Sequence, residues 1–143
     1  MKSNEDTLRK CLFFSANRLA NVLRRIVNDV YEETGIATPH IYLLILVNQY
    51  PGITVSELSE KLDIAPSTCT RFVNSLEKQG ILHKEQDWKT VHITLTEYGK
   101  EKAEGIDASI ARISTLCKGI IGEAVYKKLS ADMWEAANKF DNV

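Results

Sequence analysis

A chain of 143 residues, 44% hydrophobic and 26% charged, is long enough to bury one sizeable core and is expected to form one compact unit. It has no run of about 18 apolar residues to span a bilayer, its start MKSNEDTLRK has no apolar signal segment, and Cys11, Cys69 and Cys117 lack C-x-x-C spacing, which points away from a disulfide framework or thiolate zinc site. A formal net charge of −1 argues against a surface that binds nucleic acid everywhere; from Thr38 to Thr96 five Lys and Arg face six acids, so attraction to phosphate there must come from placement. A cytoplasmic protein with reduced, buried thiols is the expectation.

Leu8, Leu12, Ala16, Leu19, Leu23, Ile26 and Val30 recur at intervals of three or four without Pro or Gly, which predicts one long amphipathic helix over about Thr7 to Glu33, ending at Gly35. Phe13, Phe14, Val22 and Val27 make a second face apolar, more than one core stripe requires, and this points to a partner chain. Thr38 and Pro39 read as an N-cap and first-turn proline for the buried helix PHIYLLILVNQY, closed by Pro51 and Gly52. Thr54 to Glu57, TVSE, is a capping box opening a short helix through Leu62. The brief DIAPST turn then leads into a helix from Pro66 to Gln79, stopped by Gly80. Two short helices joined by so brief a turn are the signature of a helix-turn-helix.

Beyond Gly80 the period changes to two: Val91, Ile93 and Leu95 alternate with Thr90, His92 and Thr94, and with ILHKEQ they predict a β-hairpin. Its turn, Asp87, Trp88 and Lys89, lacks an Asn-Gly or Asp-Gly pair and predicts a longer, mobile tip. Trp88 is expected to pack back onto the hairpin, the alternative being contact with DNA. Thr96 reads as the N-cap of a helix with Ile106, Ile110, Ile113 and Cys117 on one face; KGIIG breaks it, and a last helix carries Val125, Leu129, Met133, Ala136 and Phe140.

In the second helix of the motif, Cys69, Phe72, Val73 and Leu76 line one side, so Ala65, Ser67 and Thr70 face outward. Short hydroxyl side chains and unpaired backbone N–H groups there can meet phosphate oxygens or base edges without holding the helix out of a groove. Arg71 adds a fork suited to phosphate or guanine, and Asn74 lies one turn on. The plainer alternative is that Ser67 and Thr68 only cap the helix and Arg71 pairs with Glu77. His40, His83 and His92 are dispersed, which predicts no metal centre, and no catalytic triad, phosphate loop or carboxylate pair points to an enzyme or a cofactor.

Order and spacing together, TPHIYLLILVNQYPGITVSELSEKLDIAPSTCTRFVNSLEKQGIL followed by Asp87, Lys89 and the segment Leu95, Thr96 and Gly99, resemble the MarR family of transcription regulators over nearly the whole chain. The resemblance implies a mainly α (α+β) winged helix-turn-helix: residues 1–37 and 97–143 supply dimerisation helices and residues 38–96 the DNA-binding region. It implies a homodimer on a pseudo-palindromic duplex operator, repression relieved by a small-molecule effector, and DNA contacts from Ser67, Thr68, Thr70, Arg71, Asn74, Lys78, Lys84, Trp88 and Lys89. An effector would bind near Asn17, Arg18, His40 and Tyr42. Lys89 stands where the family usually carries a minor-groove arginine; without the planar fork, selection for narrow A·T tracts should weaken. Cys11 resembles loosely the reactive cysteine of the family's peroxide-sensing branch, and a spectator thiol at the dimer interface is expected instead. The competing reading is a winged-helix protein-docking module with little DNA affinity.

Overall fold

The computed structural model describes residues 2–143, with side chains from Asp6 onward. Its elements are α1 (Lys2–Lys10), α2 (Leu12–Glu32), α3 (Thr38–Gln49), β1 (Ile53–Thr54), α4 (Val55–Leu62), α5 (Pro66–Lys78), β2 (Leu82–Asp87), β3 (Thr90–Leu95), α6 (Glu97–Ile121) and α7 (Glu123–Asp141). They pack as two compact units, residues up to Asp107 and Ala108–Val143, so the boundary falls inside α6.

In the first unit the core is built where the apolar spacing demands it. Ile41, Leu43, Leu44 and Val47 of α3, Leu58 of α4, Cys69, Val73 and Leu76 of α5, and Ile81, Leu82, Ile93 and Ile106 are all essentially inaccessible to solvent. The capping box is present: Glu57 N–H donates to Thr54 Oγ1 at 3.1 Å while Thr54 N–H donates to Glu57 Oε2 at 3.4 Å.

Two expectations are corrected and one is extended. The predicted first helix is broken at Cys11, whose backbone is extended (φ −86°, ψ 109°) and whose Sγ accepts the Phe14 N–H at 3.5 Å as the N-cap of α2. The apolar period continues across the break, so spacing could not reveal it. Thr38 lies inside α3 rather than capping it; Ala37 holds the cap position, and Thr38 Oγ1 donates to Asn28 Oδ1 at 2.8 Å, tying α3 to α2. The hairpin is part of a three-stranded antiparallel sheet ordered β1-β3-β2, in which Ile53 pairs with Ile93 and Thr54 with His92. A two-residue strand is too short for alternation to show.

The segment Leu95, Thr96 and Gly99 ties the start of α6 to Gly80 and Ile81, which follow α5. Thr96 Oγ1 accepts the Gly99 N–H at 3.0 Å and donates to the Gly80 and Ile81 carbonyls, and a Cβ on Gly99 would collide with the Ile81 carbonyl oxygen. In the second unit, Gly122 at φ 89° separates α6 from α7, and α7 has no buried residue.

Candidate nucleic-acid interface

Helix α4 ends at Asp63, which takes the left-handed conformation (φ 55°, ψ 45°) and donates its N–H to Ser59 and Glu60 carbonyls. Asp tolerates this conformation better than most non-glycine residues, so three residues suffice to re-aim the chain into α5. Asp63 thus sets the helix-turn-helix angle, a role the sequence reading missed because a helix stop without glycine gives little signal.

The inner side of α5 is fixed by Cys69, Val73 and Leu76. Burial pushes the Cys69 thiol pKa up, and its Sγ lies 3.7 Å from the Val55 carbonyl oxygen, which makes it a packing residue. The outer side presents Ser67, Thr70, Arg71, Asn74 and Lys78 to solvent, with Thr68 half-buried. The plainer alternative for these residues is not what the structure contains. Helix α5 has no side-chain cap, its N-cap being Ala65, and Glu77 pairs with Lys84 at 3.4 Å, while the Arg71 guanidinium lies 5.9 Å from the Phe72 ring centre.

Lys84 is placed differently from the other candidate contacts. Its Nζ donates to Asn74 Oδ1 at 2.7 Å besides facing Glu77, so this half-buried lysine straps the wing strand β2 to α5 instead of projecting as a free cation. Asn74 keeps its amide N–H₂ free to donate outward.

The wing, β2 and β3, is paired from Leu82–Leu95 out to Asp87–Thr90, leaving Trp88 and Lys89 as a two-residue turn. The longer tip expected from the missing Asn-Gly signal is therefore wrong. Trp88 itself supplies the positive φ, 53°, that a tight hairpin turn of primed type needs at its first central residue. The expectation that its ring packs on the hairpin also fails, because Trp88 is 92% exposed. Lys89 is exposed beside it.

The four effector candidates have different surroundings. A groove of about 550 Å³ is lined by Arg18 with Leu8, Arg9, Phe14, Ser15, Leu19 and Val22, without Asn17, His40 or Tyr42. Asn17 Nδ2 donates to the Phe13 carbonyl at 3.1 Å along its own helix. Tyr42 is edge-on to Tyr31 at 6.4 Å, and burial, reinforced by Tyr42, pushes the Tyr31 pKa up to about 12. His40 sits 4.7 Å from the Phe72 ring of the reader helix, and burial lowers its pKa. Cys11 is exposed, and its neighbour Lys10 is paired with Asp6 at 2.9 Å. Among the described residues, no group of three or more His, Cys, Asp or Glu could hold a metal, and no helix is long and apolar enough to cross a membrane.

Helix, tight turn and reader helix with a two-stranded wing strapped to its flank define a winged helix-turn-helix, the architecture of a large class of DNA-binding proteins. Residues 37–89 match the MarR family. An HTH-type transcriptional regulator of Bacillus cereus is 26% identical over 126 residues, covering 87% of this chain and 86% of that protein. A MarR-family transcriptional regulator from Rhodococcus sp. RHA1 superposes with a TM-score of 0.81 at 19% identity, over 90% of this chain and 96% of that one. CouR from Rhodococcus jostii RHA1, solved bound to p-coumaroyl-CoA, superposes with a TM-score of 0.79 at 18% identity, over 91% and 94%. The match to the MarR family thus covers the helix-turn-helix and the wing, and the solved structures share the fold over nearly the whole chain.

Proposed function

We propose that this protein works as a cytoplasmic homodimer that reads a pseudo-palindromic duplex operator and represses transcription until a small-molecule effector releases it, with no catalytic activity of its own. The observation that carries the DNA-reading part is the outer face of α5. Five polar or basic side chains are exposed on a helix whose opposite side is buried, and among the described residues Glu77 pairs with Lys84 rather than with Arg71. In this reading Ser67, Thr68, Thr70, Arg71 and Asn74 meet base edges and phosphates in the major groove, Lys78 meets a phosphate, and Trp88 and Lys89 reach the neighbouring minor groove. Lys84 serves them by holding the wing in register.

The homodimer is supported by apolar side chains left in water in each unit, among them Leu12 and Phe13 in α2 and Val125, Trp134 and Phe140 in α7. Effector release is supported by the match to the MarR family over residues 37–89 and by the ligand seen in CouR; the apolar groove holding Arg18 is the place offered for an acidic, partly aromatic molecule. Selection of bound fragments from the source genome tests the reading. Recovery of a shared inverted repeat, with half-sites about one helical turn apart, is expected. Fragments without a common sequence would favour a protein-docking role.

A further inference from the structure

Trp88 occupies a position that neither packing nor backbone preference explains. Its ring is 92% exposed, so it adds nothing to the core, and its φ of 53° is one that Gly or Asn would adopt more easily. Around it, Glu85 and Asp87 outnumber Lys89, so charge alone gives the tip little hold on phosphate. A bulky aromatic kept at such a point is a candidate for contact with something outside the chain.

The strand geometry says where that contact falls. Lys84 is bound to Asn74 of α5 at 2.7 Å, and β2 runs from buried Leu82 to exposed Asp87. Four residues at about 3.4 Å each put Trp88 about 14 Å beyond that strap. The major groove is about 12 Å wide, so a tip at that reach from a helix seated in it is long enough to pass one sugar–phosphate strand and meet the adjacent minor groove.

Resting on the operator-binding reading above, we infer that Trp88 is an apolar wedge that enters the minor groove and partly unstacks one base step in each half-site. Such a wedge favours pyrimidine–purine steps, which unstack most easily, over stiff A-tracts. The wing therefore contributes sequence preference through the deformability of DNA where a minor-groove arginine would read a narrow groove.

The full-length Trp134→Phe protein tests this, because the chain has two tryptophans and Trp88 is then the only one, excited at the red edge where the five tyrosines do not absorb. The probes are the selected operator duplex, with 2-aminopurine placed step by step along the flanking minor grooves, and a random duplex at low salt. Binding is followed separately by anisotropy of a labelled DNA end. The inference predicts that saturation quenches Trp88 and shields it from acrylamide, and that 2-aminopurine brightens at one step per half-site. Trp88→Ala should abolish that brightening, weaken operator binding about tenfold and leave the salt slope unchanged, with Trp88→Phe in between. Duplex that saturates the protein while Trp88 emission, acrylamide access and 2-aminopurine all stay unchanged overturns the wedge and leaves the regulator reading intact. Failure of every duplex to bind the parent protein, with Trp134 in place, overturns that reading and the wedge with it. The emission arms use the parent wing, so they remain decisive even if Trp88→Ala misfolds.

Discussion

His40 couples the reader helix to the body of the protein through the edge of Phe72, and its surroundings make that coupling sensitive to acid. Burial lowers its pKa below 6.5, and the nearby cation, Arg71, lies over the same phenyl ring. The unfolded chain takes up the proton at higher pH than the folded one. Its contribution is thus fully present above about pH 6.5 and is lost as the pH falls below that value toward the folded pKa. Thermal melts of the parent and His40→Gln, followed by circular dichroism from pH 7.5 down to about pH 5, should show the parent losing more stability. At this scale the outward set on α5 was legible because helical spacing alone separates Cys69, Val73 and Leu76 from Thr70, Arg71 and Asn74. The exposure of Trp88 was not, since it depends on a turn of only two residues in which tryptophan itself takes the positive φ.

The helix-turn-helix and its wing were readable as elements wherever local chemistry fixes them: the Thr54 and Glu57 box, the Gly80 stop and the alternation in β3. What escaped were features decided by partners distant in sequence. Strand β1 exists only because Ile93 pairs with Ile53, and Thr38 serves Asn28 in place of its own helix. Cys11 was hidden for a different reason, since a thiol is a weak acceptor and rarely signals a cap. The joint between α5, the wing and α6 offers the sharpest element-scale test. Gly99→Ala drives a methyl group into the Ile81 carbonyl oxygen, against backbone that cannot swing aside. It should cost about 3 kcal/mol. Chemical denaturation would show this as a lower midpoint, and an unchanged midpoint would mean that the joint is looser than described.

At the scale of the whole molecule, apolar surface is left uncovered in both units. Helix α7 buries none of its apolar residues, and Leu129, Met133 and Phe140 remain open to water, as do Leu12 and Phe13 in the other unit. If a second copy covers them, Leu129→Glu with Met133→Glu should sediment as a monomer at micromolar concentration and lose operator binding, since two reader helices act together. A dimer that survives those charges would place the interface elsewhere. The central claim, that α5 reads sequence while the wing tip supports it, is tested most directly by titrating operator and random duplex across salt concentration with the parent, Thr70→Ala and Lys89→Ala. The account predicts that log affinity of the parent falls steeply with log salt. Thr70→Ala should lose about 1–3 kcal/mol on the operator and little on random duplex, while Lys89→Ala weakens both and flattens the slope by about one. Three folded proteins that bind operator and random duplex equally, with the same slope, would contradict it.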